Sequence, residues 1–158
     1  MATIGELKQY LNKHHIEVWE YTEATATAAA AAVAVGCSVA EIAKTLLFVV
    51  GGAPVAVVTC GDMKVKSSRL KQAFGRSGKV KLPQPDEVLN LTGYRPGGVC
   101  PFLLPEHLPV FLDSSLLRFP VVYAAAGNSY SAVPVTAAQL EQLTGGSIVS
   151  LCDPLPAT

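Results

Sequence analysis

Apolar residues at Ile4, Leu7 and Leu11 recur at helical spacing behind a Thr3–Glu6 capping box, which predicts an amphipathic helix to about His14. Ile16 to Tyr21 is rich in β-branched and aromatic residues and reads as a strand. The alanine-rich run from Thr25 to Val35 predicts a helix closed by Gly36. Ser38 and Glu41 form a second capping box, opening a short helix that carries Lys44 toward the apolar run Leu46 to Val50. Gly51 and Gly52 then mark a turn, and Pro54 to Thr59 reads as the returning strand of a hairpin buried on both faces.

Further on, Ser67 is placed to cap a helix to about Phe74, Val80 begins a short extended piece, and Pro85, Asp86 and Glu87 form the first turn of a helix ending near Leu91. Gly93 to Pro105 is dense in Gly and Pro and reads as a loop. Strands follow at Pro109 to Leu112, Val121 to Ala125, Ala132 to Val135 and near Ile148 to Leu151. A third capping box, Thr136 with Gln139, opens a helix through Leu143. Short strands and helices without strict βαβ alternation predict an α/β (mixed α+β) fold, with a mixed, partly barrel-like sheet surrounded by helices.

The chain has 158 residues, of which 50% are hydrophobic, which fits one domain over residues 1–158. Its formal net charge of zero argues against holding nucleic acid by bulk charge, so any polyanion site must be local. Cys37, Cys60, Cys100 and Cys152 show neither C-x-x-C spacing nor histidines at zinc-ligand distances, so neither a metal site nor a disulfide framework is expected. The N-terminal segment lacks the order of a secretory signal, and the apolar stretch Ala28 to Val35 is too short to span a bilayer. A cytoplasmic protein without membrane contact is expected.

Several positions offer chemistry. Lys44, between a predicted helix and an apolar strand, either carries a functional charge or snorkels to water. Gly97 and Gly98 let the backbone approach a ligand, and Pro101 stiffens the exit of their loop, so N–H groups there are candidates for an oxyanion site; a plain tight turn is the alternative. Lys64, Lys66, Arg69, Lys71, Arg76, Lys79 and Lys81 are seven of the 12 Lys and Arg residues and occur with no acid between them, which points to a basic surface for a tRNA backbone or to a solvated helix face. Cys100 with His107 offers a nucleophile and base without an evident orienting group. Asp113 either caps the following SSLL turn or faces a pocket.

The order of EIAKTLLF, a GD followed by a basic helix, TGYRPGGVCPF, PVFLD and VVYAAAGN resembles the YbaK family and the editing domain inserted in bacterial prolyl-tRNA synthetases, from about Tyr21 to Cys152. The resemblance implies a barrel-like mixed sheet and metal-independent hydrolysis of the ester on mischarged tRNA, with no cofactor. It assigns Lys44, the loop Gly97 to Pro101 and Asp113 to the reaction, and sets Gly127 at the end of a later strand. Tyr21, Thr25, Thr45, Cys100, Pro101, Gly127 and Asn128 become candidate substrate contacts, and Lys64, Lys66, Arg69 and Lys71 candidate tRNA contacts. Family members frequently have Ser before the loop proline and Gly or a small residue soon after it, where this chain has Cys100, Phe102 and Leu103. The segment Gly127 to Val133 also differs from the basic version of the family's best-known members.

The expected activity is a stand-alone trans-editing deacylase, acting on tRNA(Pro) that carries alanine, cysteine or serine, with an aminoacyl-tRNA synthetase as a possible partner. Gly97 and Gly98 would hold the carbonyl or the attacking water, Lys44 the terminal phosphate or ribose, and Asp113 the pocket or the substrate amine. By the same resemblance, the substrate's own 2′-hydroxyl or side chain would assist. Two other readings are a non-catalytic tRNA- or nucleotide-binding module of the same fold and a Cys100–His107 hydrolase.

Overall fold

In the computed structural model, which describes residues 3–156, Thr3 caps α1 (Ile4–Asn12) through the box predicted with Glu6. α1 buries Leu7 and Leu11 completely. The strand expected over Ile16 to Tyr21 contracts to β1 (Trp19–Glu20), which pairs with Ala132 and Ser131. α2 (Ala28–Val35) starts three residues later than predicted. Thr25 is drawn into pairing with residues 129–131 instead, and Thr27 takes the cap by accepting the N–H of Ala30. Gly36 closes the helix at φ +83°, the left-handed conformation that glycine adopts without a Cβ clash.

The second capping box opens only a 3-10 turn, Val39–Glu41, and Ile42 is already extended. Lys44 therefore lies within β2 (Ala43–Val50) rather than at a helix end. Gly51 and Gly52 take φ +55° and +85°, the pair of positive angles needed by a two-residue type I′ turn, and return the chain into β3 (Ala53–Cys60). Val55 to Val58 are wholly buried, as an unbroken apolar strand between two neighbours should be. β4 (Met63–Val65) and α3 (Ser67–Phe74) follow; Ser67 is the first helical residue rather than the cap, which falls on Lys66. β5 (Val80–Lys81), α4 (Pro85–Thr92) and the irregular loop to Pro105 match the expectation closely.

After β6 (Val110–Asp113), β7 (Val122–Ala124), β8 (Ser131–Val135), α5 (Ala137–Thr144), β9 (Ser147–Val149) and β10 (Cys152–Pro154), the strands fall into three hydrogen-bonded sets. The largest is mixed, in the order β5-β2-β3-β6-β9, with β3, β6 and β9 parallel and the other pairs antiparallel. The mixed sheet predicted is present, but the sets do not close into a barrel. One consequence positions the site. β5 pairs only with Val49 and Val50, and β7 is bridged to this edge only at Ile42–Tyr123, just before β2, so among the described residues the outer edge of β2 between these points has no hydrogen-bonded partner strand.

Candidate active-site cleft

A cleft of about 750 Å³ opens on that free edge. Its walls come from stretches of chain far apart in sequence: Thr25 to Ala28 with Ala31, Ile42 to Phe48, Met63 to Val65, Leu82 and Pro83 with Val88, the loop residues Pro96, Gly97 and Val99, Tyr123 to Ala125 with Ser131 and Ala132, and Leu155. Small side chains such as Ala26, Ala28, Ala31, Ala124 and Ala125 leave the volume open. Sequence reasoning singled out none of these alanines. The composition of the segments around 28–32 and 124–126 was the available signal, but only the fold shows that both face one space.

Of the predicted residues, Lys44, Thr45, Thr25, Gly97 and Lys64 line this cleft. The Lys44 ammonium is half-buried and donates to the carbonyls of Met63 at 2.7 Å and Gly61 at 3.4 Å, which leaves one of its three N–H donors for a ligand. Burial pulls its pKa below the ordinary lysine value, against an opposing pull from Cys152, Asp62 and Cys60. The turn supplying those carbonyls is fixed by Arg118, whose guanidinium grips Asp62 with two bonds of 2.7 and 3.1 Å. Thr45 Oγ1 is buried without any hydrogen-bond partner. Thr25, in contrast, spends its hydroxyl twice on the backbone of Ser131, accepting its N–H and donating to its carbonyl.

The glycine pair divides in the same way. Gly97 faces the cleft with φ +87°. Among the described residues, no protein acceptor takes its N–H or that of Val99. The Gly98 N–H closes a turn on the Arg95 carbonyl at 3.0 Å. A Cβ on Gly98 would lie 2.8 Å from the Asn128 Cα, so glycine is needed there for close backbone packing rather than for a donor aimed at the cleft. Gly127, at φ +84°, packs against Leu7 and Tyr94, and the Asn128 side chain accepts the N–H of Tyr130; neither lines the cleft.

Asp113 is not brought to the site. It is 1% exposed and not among the cleft-lining residues. Its carboxylate accepts the N–H of Ser115 at 3.1 Å, which is the cap predicted for the SSLL turn, the N–H of Leu151 at 2.8 Å, and the Thr59 hydroxyl at 3.4 Å. Burial alone would raise its pKa, but the hydrogen bonds from Ser115 and Leu151 outweigh burial and hold it below the usual carboxylate range. Cys100 is fully buried, with its thiol pushed up to about 11 by burial, while His107 is exposed, and no hydrogen bond joins the two. The conditions for a thiolate nucleophile are missing. Pro101 is buried beside it, and Tyr21 is half-buried with its N–H on the Tyr130 carbonyl; neither lines the cleft.

Of the basic segment, Lys64 stands exposed at the cleft rim. Arg69 is held by Asp153 at 2.8 Å and by the Cys152 carbonyl, and Lys66 lies 3.9 Å from the same aspartate. Among the described residues Lys64 and Lys71 have no acidic partner. Within the same residues, no three His, Cys, Asp or Glu side chains gather as a metal site, and no helix is long and apolar enough to cross a membrane.

An alanine-walled cleft on an open strand edge, with one half-buried lysine and an unspent glycine N–H, is the frame on which comparison with known proteins bears. The aminoacyl-tRNA editing domain model matches residues 22–143, and the chain belongs to that family. A solved structure provisionally described as a trans-editing enzyme for prolyl tRNA synthetase superposes with a TM-score of 0.84 at 30% identity, over 97% of this chain and 99% of the other. The Bacillus subtilis (strain 168) protein YwhH is 36% identical over 138 residues, covering 86% of this chain and 87% of its own length. Proline–tRNA ligase of Staphylococcus aureus (strain Newman) is 31% identical over 80 residues, which is 51% of this chain but 14% of the ligase.

Proposed function

We propose that residues 1–158 act as one trans-editing domain that hydrolyses the ester of mischarged tRNA, with tRNA(Pro) carrying alanine, cysteine or serine as substrate. The observation that carries this reading is the pairing, in one cleft, of Lys44 with a spare ammonium donor and Gly97 with an unspent N–H. Water adds to the ester carbonyl carbon, the Gly97 N–H stabilises the oxyanion that develops, and the carbon–oxygen bond to the ribose breaks. The departing ribose oxygen takes up a proton, and free amino acid and tRNA are released. One well-placed backbone donor contributes roughly 3 kcal/mol to such a step. Lys44 anchors the terminal phosphate or ribose, and Lys64 and Lys71 lead the acceptor stem toward the cleft. The walls of small side chains fit a small amino acid, although one methylene discriminates by only about 1 to 3 kcal/mol.

Two assignments drawn from the family resemblance change. Gly98 supports Gly97 by packing and spends its N–H on the Arg95 carbonyl rather than on the substrate, and Asp113 holds the sheet together without touching the substrate. The test is deacylation of labelled tRNA(Pro) charged with alanine, cysteine or serine, by wild type and by Lys44→Ala, before and after dialysis against EDTA. Turnover of at least one ester that survives EDTA and falls about 100-fold in the variant is the expected result. Full activity in Lys44→Ala would remove Lys44 from the mechanism. Binding of tRNA without turnover would favour a non-catalytic module.

A further inference from the structure

The cleft contains two lysines, Lys44 and Lys64, and not one carboxylate among its lining residues. An aminoacyl ester brings an α-amino group, a strong donor that must be hydrogen-bonded once water is displaced. Two acids near the site are already engaged: Asp62, next to the cleft-lining Met63, by Arg118, and the buried Asp113 by Ser115, Leu151 and Thr59. With no carboxylate in the lining, main-chain carbonyls are the acceptors to look for, and the geometry of β2 shows which ones are free.

Val50 and Ala53 close a two-residue hairpin, so Val50 exchanges main-chain hydrogen bonds with Ala53, and every second residue back along β2 likewise faces β3. The intervening residues, Thr45, Leu47 and Val49, direct their N–H and C=O groups to the opposite edge. The Gly51 N–H, bonded to the Lys79 carbonyl at 3.1 Å on the β5 side, has the same parity. β5 covers Val49 and stops there. The outward carbonyls of Thr45 and Leu47 thus lie on an edge to which, among the described residues, no strand is hydrogen-bonded, and that edge lines the cleft. A second, independent sign of an unfilled polar site at this point is the buried, unpartnered Thr45 hydroxyl.

We propose that the outward main-chain carbonyls of Thr45 and Leu47 accept the α-amino group of the aminoacyl ester, making the cleft selective for esters with a free α-amine over α-hydroxyacyl and N-acylated esters. The proposal rests on the editing reading above and adds a substrate class to it. It also gives the enzyme a way to spare N-blocked tRNAs, peptidyl-tRNA among them: an amide nitrogen keeps a single N–H and carries a bulky acyl group where the edge has room for an amine. A strand edge suits this task because its carbonyls are fixed by the ladder on the other side and need no side-chain ordering.

The experiment uses the full chain and the best ester from the deacylation panel, prepared in three forms: aminoacyl, the corresponding α-hydroxyacyl, and N-acetylaminoacyl. Rates are normalised to the uncatalysed hydrolysis of each ester. The free-amine ester is expected to be cleaved at least about 10-fold faster than the other two on that scale. In parallel, carbonyl-13C NMR is recorded with the non-hydrolysable 3′-amide of 3′-amino-3′-deoxyadenosine carrying the same amino acid, and with its α-hydroxy counterpart. The Thr45 and Leu47 carbonyl resonances should move with the first and not with the second. Equal normalised rates for the three esters would overturn the proposal, as would binding of the amine analogue with those resonances unmoved. If no ester is hydrolysed and neither analogue binds, the editing reading itself fails and takes the proposal with it.

Discussion

Two polar clusters meet at the central sheet, where Lys44 stands opposite the Thr59 that bonds Asp113, and they differ in how their hydrogen bonds are spent. Around Asp113 every donor has an acceptor: Thr59, Ser115 and Leu151 all converge on one carboxylate that solvent hardly touches. Around Lys44 the accounts are left open, with a spare ammonium N–H, a Thr45 hydroxyl without a partner, an unspent Gly97 N–H and a strand edge lacking its neighbour. A closed network of buried polar groups fixes the fold, whereas an open one, costly in the empty protein, is where a ligand has something to gain. By this criterion the two residues that the family resemblance joins, Lys44 and Asp113, have different roles.

The sharpest way to break the comparison is Asp113→Ala. Removing the carboxylate leaves the buried Thr59 hydroxyl and the Ser115 and Leu151 N–H groups without their acceptor, and a destabilisation of about 3 to 5 kcal/mol is expected in urea unfolding. Deacylation per folded molecule, measured at low temperature, should change less than about 3-fold, since none of the groups that Asp113 binds lines the cleft. A fully stable but inactive variant would return Asp113 to the site.

Lys44→Met tests the other cluster and should move in the opposite sense. The burial that pulls the Lys44 pKa down means that folding disfavours its charge, so an apolar chain of similar length should leave stability unchanged or raise it while deacylation falls about 100-fold. The sign in pH follows from the same shift. With the folded pKa below the unfolded one, the unfolded chain binds more protons between the two values. The stability cost of Lys44 is therefore fully present below the folded pKa and is relieved as pH rises through that window. Activity that needs the ammonium should fall over the same rise. Lys44→Met should abolish that stability increment, which urea titrations across the alkaline range would detect.

What the sequence revealed in advance, and what it concealed, divides along the range of the interactions. The boxes at Thr3–Glu6 and Thr136–Gln139, the Gly51–Gly52 hairpin and the turn at Gly93 are decided by residues within four positions of one another, and they were legible. Lys44 was recognised as unusual, yet its place in a strand depends on Ile42 turning extended after a single 3-10 turn, which a capping box does not specify. The fate of Asp113 was set by Leu151, 38 residues away, and the cleft by separate segments that meet only in three dimensions. The role of Gly98 was missed for a related reason: a Gly-Gly pair signals close approach but not to what, and here one glycine faces the cleft while the other meets the Asn128 backbone.

The smallest effect expected is also the most direct measure of the contrast. Thr45→Val keeps the shape of the side chain and removes only the buried hydroxyl that has no partner. In a satisfied network such a change costs stability, as it would at Thr59, whose hydroxyl lies against Asp113 and Ser115. At position 45 nothing is lost in the empty protein and a desolvated polar atom is removed, so Thr45→Val should gain about 1 kcal/mol while Thr59→Val loses a comparable amount. If the Thr45 hydroxyl is held open for substrate, the same substitution should lower kcat/KM several-fold. A stability gain together with an activity loss at one position, set against a stability loss with unchanged activity at the other, would separate a hydroxyl kept for a ligand from one used by the fold. Identical behaviour of the two variants would dissolve the distinction on which the assignment of the cleft depends.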